Sequence, residues 1–327
     1  MLFQTAGPDP PAQSGLSAPE LLVIINPGSG AQEASETRQA LARVFGEAGR
    51  SHRFVPVASP DALEAVAERA AAEAAQGAGV LVAVGGDGTI NTLAAAALRH
   101  GCALGVIPRG TFNYFARGHG IPQDLEAAAS ALLRGSAQPV QTGQVNGRLF
   151  LVNASLGLYP QLLEDRETFK QQFGRHRWVA ALAGLVTLFE WRRQLKLEFV
   201  QEGQRMVRLT PTLFVGNNRL QLEQIGLAGE LASSVGAGRL AAIVPRAIRS
   251  WALLGLLLRG ALGRLGEADQ VDSFDFASLA VRVPRMRRLK LAADGEVHVV
   301  TPPLQFEVSP QPLMLVLPRQ EDRAPIE

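Results

Sequence analysis

Residues 80–92 read VLVAVGGDGTINT, and the fold turns on how this stretch divides. The unbroken apolar run Val80–Val84 has the pattern of a strand buried on both faces, and Gly85, Gly86 and Gly88 around Asp87 make a turn. The spacing then predicts a helix over Thr89–His100. A glycine turn between a parallel strand and a helix is where anions bind in open α/β sheets. Backbone N–H groups and the helix N-terminus approach the charge there with no Cβ in the way. An aspartate facing phosphate at this point would work through Mg²⁺, a water or a ribose hydroxyl.

Outward from this stretch the alternation continues. LLVIIN starts at Leu21, helical stretches follow at Glu33–Gly49 and Asp61–Gln76 on either side of SHRFVPV, and ALGVIP follows the helix after the glycine turn. Apolar strands separated by amphipathic helices imply a parallel sheet covered on both faces. Two more strands end in similar loops, Asn26-Pro27-Gly28-Ser29-Gly30 and Pro108-Arg109-Gly110-Thr111-Phe112-Asn113. Parallel strands put all three loops on one edge.

Beyond Gly135 the grammar changes. Strand-like runs flank Asn146-Gly147, the pair favoured in two-residue hairpins, and LKLEFVQEGQRMVRL turns at Glu202-Gly203. TPTLFVGN, GRLAAIV, FASLAVRV, RRLKLAA, GEVHVV and PLQFEV add strands of an antiparallel, β-rich second domain. The expected division is a disordered tail over 1–18, a nucleotide-binding α/β domain over 19–137 and a β-rich acceptor domain over 138–327. Trp178–Trp191 is too short to span a bilayer, and Ala247–Leu265 carries Arg249, Arg259 and Arg264. Both read as core or interface helices, or as helices lying at a membrane surface.

With 47% hydrophobic and 19% charged residues, the 327-residue chain is of globular composition. Its one cysteine, Cys102, excludes an intramolecular disulfide and a cysteine zinc cage, and reads as a core residue in a cytosolic protein. The opening residues lack the basic and apolar regions of a signal peptide. The net charge of +2 divides unevenly, to −3 over residues 1–135 and +5 over 136–327. That excess, nearly all arginine, suits an anionic membrane or a nucleic acid, or forms a solvated surface with no specific partner. Motifs of the P-loop, protein-kinase and dinucleotide-oxidoreductase designs do not occur in the right context.

NPGSG, GGDGT with Ile90-Asn91, and PRGTFNYFARGHGIP resemble, in order and spacing, the diacylglycerol kinase catalytic-domain family, which includes bacterial lipid kinases and sphingosine kinases. VGNN at Val215–Asn218 and Asp294-Gly295-Glu296 extend the resemblance over nearly the whole chain from Leu21. The GGDG loop is shared with the NAD kinases of the same superfamily. The fold implied is an α/β N-terminal domain with a parallel sheet, NAD-kinase/diacylglycerol-kinase-like, plus a β-rich antiparallel C-terminal domain.

The resemblance implies ATP contacts from Asn26, Pro27, Gly28, Ser29 and Gly30, from Gly85, Gly86, Asp87, Gly88, Thr89, Ile90, Asn91 and Thr92, and from Thr111. Gly110 and Asn113 belong to the same loop, and Arg109 and Arg117 flank it as cations to neutralise phosphate. Glu296 resembles the family's general base, with Asp87 the second catalytic residue and ATP and Mg²⁺ the cofactors. The implied reaction moves the γ-phosphate of ATP to the hydroxyl of a lipid such as diacylglycerol or a sphingoid base. The partners expected are that lipid alcohol and the anionic inner face of the membrane, with no nucleic acid, in a cytoplasmic protein; a homodimer stays open. Thr92 and Tyr114 stand where the family commonly has carboxylates. Ala237-Gly238-Arg239-Leu240 replaces an acidic segment that holds a structural Mg²⁺ in bacterial members, so no structural metal is expected. A soluble NAD-kinase-like enzyme and a non-catalytic nucleotide- or lipid-binding regulator are the alternatives.

Overall fold

Apolar runs of the first half of the chain assemble into one sheet. The computed structural model describes residues 19–26, 31–77, 79–157, 194–201, 204–227, 229–246 and 271–326. Strands are numbered in chain order. Four parallel strands, β1 (Leu21–Ile25), β2 (His52–Phe54), β3 (Val80–Gly85) and β4 (Ala103–Pro108), stand in the order β2-β1-β3-β4. The pairs Ile25↔Val84 and Gly85↔Pro108 end β1, β3 and β4 nearly level, which sets Asn26 beside the loops that follow β3 and β4.

Helices α2 (Leu63–Gln76) and α3 (Asp87–His100) cover one face of this sheet, and α1 (Ala31–Glu47) and α5 (Leu125–Arg134) the other. Val66, Ala67, Ala70, Ala71 and Ala74 of α2 are buried at helical spacing. The small side chains let the helix lie close to the strands. Helix α3 starts at Asp87, earlier than Thr89, because Gly86 takes the extended N-cap conformation, and it stops where Gly101 enters the left-handed region at φ 70°. Asp124 caps α5 by accepting from the Ala127 N–H. The short α4 (Tyr114–Gly118) lies between β4 and α5. Cys102 is buried, which pushes its thiol up to about 11.

A strand from the far end of the chain completes the sheet. β18 (Leu313–Leu317) inserts beside β4, parallel to it, and pairs antiparallel with the edge strand β5 (Ser136–Val140). The run PLMLVLP was not among the strands expected from the sequence, and it belongs to the first sheet rather than to the β-rich part that precedes it.

The remaining strands form two antiparallel sheets. One is ordered β10 (Gln204–Thr210), β9 (Leu195–Gln201), β14 (Ser278–Arg282), β17 (Leu304–Val308), β6 (Gly143–Val145) and β7 (Arg148–Phe150). The other is ordered β13 (Val271–Phe276), β12 (Leu240–Pro245), β11 (Thr212–Gly216), β8 (Asn153–Gly157), β15 (Leu289–Ala293) and β16 (Glu296–Val300). Leu197, Phe199, Val281 and Phe306 from the first meet Leu156, Val215 and Leu291 from the second in a shared core. The Asn146-Gly147 turn forms as expected, with φ 48° and 77° between β6 and β7. Gln201 pairs with Gln204 across Glu202-Gly203, which itself lies outside the described residues. α6 (Arg219–Gln224) and α7 (Glu230–Ser234) pack on the outer face of the second sheet. Residues 1–18 and the apolar stretches Trp178–Trp191 and Ala247–Leu265 lie outside the described residues. Among those described, no helix is long and apolar enough to cross a membrane.

Candidate active site

Asn26 at the end of β1 and the loops after β3 and β4 are bonded to one another. Asn26 donates from its backbone to Val84 O (3.1 Å) and from Nδ2 to Thr89 Oγ1 (2.8 Å). The Arg109 N–H donates to Gly85 O at 2.8 Å. A Cβ on Gly110 would stand 2.7 Å from Gly86 Cα and 2.6 Å from Asn113 Oδ1, so the β3 and β4 loops touch only because no side chain intervenes. Asn113 then closes its own loop: Oδ1 accepts from Gly110 N (2.9 Å), and Nδ2 donates to Gly110 O (3.0 Å) and Gln123 Oε1 (2.8 Å).

Asp87 is turned towards α4. Its Oδ2 accepts from the Asn113 N–H at 3.0 Å, while Oδ1 is buried with no hydrogen-bond partner. Burial pushes its pKa above the usual aspartate value, and the N–H groups of Asn113, Phe115 and Tyr114 pull the other way. Asp87, expected as a catalytic residue, is not among the residues that line the cavity bordered by Gly88 and Thr89, and its carboxylate ties the first turn of α3 to the loop after β4.

Between α2 and α3 on one side and the β-sandwich on the other lies a cavity of about 960 Å³. Asn26, Gly88, Thr89, Asn91 and Thr92 line it from the first side, and the β6–β7 hairpin, Ala293, Glu296 and His298 from the second. Glu296 is 63% exposed and reaches towards the first turn of α3, where a Cβ on Gly88 would come within 3.8 Å of its Oε1. The N-terminus of α3 therefore faces the cavity with backbone N–H groups and positive helix potential, a setting that attracts anions. His298 Nε2 stands 3.8 Å from Glu296 Oε2. Burial lowers the His298 pKa, Arg148 adds to that, and Glu296 opposes it.

Asp294, two residues before Glu296, joins the two sides. Its Oδ2 accepts from Leu151 N (2.6 Å) and Asn91 Nδ2 (2.5 Å), and its Oδ1 from Val152 N and Asn153 N (both 2.9 Å). Burial pushes its pKa up, while these four N–H groups, all donors to a carboxylate, pull it back. At φ 46°, with Gly295 at 89°, it also forms the turn between β15 and β16. The Asp294-Gly295 turn and the Glu296 carboxylate, expected as a general base, are therefore one device: the first residue locks to α3 and so fixes the second beside it. A second tie is Asn218, which caps α6 through Gln221 N (2.9 Å) and donates to Tyr114 O (3.0 Å).

Not every residue expected at the site meets in this cavity. Arg109, Gly110, Thr111 and Asn113 line a separate cavity of about 490 Å³ with Arg117. Arg109 also pairs with Glu33 at 2.9 Å. Ile90 is fully buried on the sheet, so its side chain faces the core. Pro27, Gly28, Ser29 and Gly30 lie outside the described residues. In the segment Ala237–Leu240, Arg239 Nε donates to Asp275 Oδ2 at 3.0 Å. Among the described residues no group of three or more His, Cys, Asp or Glu is placed to hold a metal. His298 and Arg148 line the cavity without having been anticipated. Strand alternation was the available signal, because His298 follows Glu296 by two residues and shares its face.

Residues 20–145 match the family model of the diacylglycerol kinase catalytic domain. A diacylglycerol kinase of Bacillus subtilis (strain 168) is 37% identical over 147 residues, 44% of this chain and 47% of that protein. A Pseudomonas aeruginosa PAO1 protein named "Probable lipid kinase YegS-like" is 42% identical over 131 residues, 39% of this chain and 42% of that protein. The chain spans less than half the length of these curated relatives that it matches. The crystal structure of a diacylglycerol kinase from Bacillus anthracis str. Sterne superposes with a TM-score of 0.64 at 17% identity, over 91% of this chain and 96% of that one. A second structure from the same strain gives 0.69 at 19% identity with equal coverage. At these identities the likeness is one of fold, a parallel α/β domain followed by antiparallel β-rich sheets.

Proposed function

We propose that this chain, whose residues 20–145 match the diacylglycerol kinase catalytic domain, transfers the γ-phosphate of ATP to the hydroxyl of a lipid. The observation that carries the reading is the Glu296 carboxylate beside the first turn of α3 on the wall of a cavity of about 960 Å³. Residues 19–137, with β18, form the nucleotide side, and the β-sandwich forms the acceptor side.

In this reading the N–H groups of Gly86–Thr89 and the side chains of Asn26 and Thr89 hold the phosphates. The acceptor hydroxyl enters the cavity beside Glu296. As its oxygen bonds to the γ-phosphorus and the bond to the β-phosphate oxygen breaks, Glu296 takes the hydroxyl proton and ADP leaves. Mg²⁺ carried by ATP would neutralise phosphate oxygens, with Glu296 the carboxylate on the cavity wall that would hold it. Asp294 holds Glu296 in place through the turn it locks to α3.

Incubation of the full chain with radiolabelled ATP, Mg²⁺ and a total lipid extract, followed by chromatography of the lipids, tests the reading. The expected result is a labelled phospholipid. ATP binding with no label in any lipid overturns it in favour of a nucleotide-binding regulator.

A further inference from the structure

We propose that one corner of the β-sandwich, built from β10, β9, β14 and the loop after β14, docks on the surface of an anionic lipid bilayer. The inference stands apart from the proposed reaction, because the observations behind it all lie outside the catalytic cavity.

β10 is an edge strand, and alternation along it sends Met206 into the core and Val207 and Leu209 outward. These two are 50% and 55% exposed, unusual for large apolar side chains. The register places Val207 opposite Glu198 and Glu198 opposite Arg282, with Leu209 opposite Lys196 in the next row. Side chains opposite each other in this way stand ~5 Å apart, so Val207 and Leu209 form one patch with a basic border. β14 runs on into Pro284–Arg288, where Arg285, Met286, Arg287 and Arg288 are all exposed.

Charge decides the occupant. The side chains of Arg205, Arg282, Arg285, Arg287 and Arg288 make no ion pair among the described residues, and the nearby Glu198 is engaged by Lys196 at 3.5 Å. A second copy of the chain would bring like charges together, whereas lipid phosphates would meet unpaired guanidinium forks. Apolar side chains inside a basic border suit the boundary between headgroups and acyl chains.

The path of the chain points to the same end of the sandwich. Gly157 pairs with Thr212, Leu195 with Thr210 and Pro245 with Val271, and a Cβ on Gly157 would come 3.0 Å from Leu195 Cδ1. Gly157, Leu195, Pro245 and Val271, the described strand residues that flank 158–193 and 247–270 in sequence, therefore stand at the same end of the sandwich as Leu209 and the start of β15. In sequence, 158–193 and 247–270 contain WVAALAGLVTLFEW and AIRSWALLGLLLRGALGRL, two strongly apolar stretches, the second of them arginine-bearing.

Sedimentation of the full chain without ATP, with phosphatidylcholine vesicles that contain or lack phosphatidylglycerol, tests the corner. The parent is expected to favour the anionic vesicles and to lose much of that preference at ~0.5 M salt. R285E/R287E/R288E should bind anionic vesicles about 10²-fold more weakly, and V207D/L209D should lose the binding that survives salt. R43E/R53E, on the α/β domain, should match the parent. Thermal melts check that each variant is folded. Parent-like binding by the triple variant overturns the proposal. So does a self-association of the parent that both corner variants abolish without changing vesicle binding. Transfer to a short-chain acceptor dispersed in water should be equal in parent and corner variants. Absence of that transfer from the parent would count against the kinase reading alone, since the vesicle result does not depend on it.

Discussion

Glu296 and Asp294 stand two residues apart on one hairpin and meet opposite surroundings. Glu296 is largely exposed to the cavity, whereas the Asp294 carboxylate accepts four N–H groups. Their substitutions should therefore separate chemistry from architecture. Glu296→Gln keeps the shape and removes the basic oxygen, so kcat is expected to fall ~10²–10⁴-fold with KM for ATP nearly unchanged; steady-state kinetics checks this. Asp294→Asn puts an amide NH₂ against groups that are themselves donors, and urea denaturation should show a loss of roughly 2–4 kcal/mol. The sequence displayed Asp294-Gly295-Glu296 as a segment of the family resemblance, with Glu296 its carboxylate of interest. It could not display the lock, because the partners of Asp294 are main-chain N–H groups of Leu151–Asn153 and the Asn91 amide. Backbone groups leave no mark in a residue pattern.

At the scale of elements, the contact between the β3 and β4 loops depends on Gly86 and Gly110. Gly110→Ala would set a methyl against Gly86 Cα and Asn113 Oδ1, forcing the loops apart. Since the β3 loop supplies the proposed phosphate contacts, KM for ATP should rise about tenfold or more, an effect of over 1.4 kcal/mol, with a smaller change in melting temperature. A second test concerns the tie between the sheets of the sandwich. Asp272 at the start of β13 accepts from Arg208 of β10 and from Arg246. Burial would raise its pKa, yet the Arg246 and Arg208 guanidinium groups hold the carboxyl below the usual aspartate value. The unfolded chain then takes up the proton first as pH falls. The stabilisation is present above the unfolded value of ~3.9 and is lost as pH falls through the folded one. Asp272→Asn should cost about 1 kcal/mol or less at pH 7, and melts at descending pH should show parent and variant converging as pH falls through the lowered folded value. Periodicity revealed most of these elements. It missed β13, where VDSFDF carries polar residues at alternate positions of an edge strand, and β18, whose partners lie far away in the chain.

For the whole molecule, β18 is the piece that prevents a clean cut between the parts. Leu313 and Leu315 are fully buried, and the residues after them hold α4 and α5 through Ala324 N to Gly120 O (2.9 Å) and Arg134 to Asp322. A chain ending at Pro310 should leave β4 and β5 unpaired, and limited proteolysis is expected to cut the α/β part of the truncated protein much faster than that of the parent. Survival of a resistant α/β core without β18 would show the strand to be dispensable. The same insertion orders events during synthesis. Val140 closes the last strand of the first sheet made early, and its neighbour at Leu313 is added 173 residues later. At ~5–20 residues per second the ribosome needs about 9–35 s to supply it. For that interval the nascent α/β part carries an open slot between β4 and β5, and a chaperone or a strand from a neighbouring chain on the same messenger can enter it before the chain's own strand arrives.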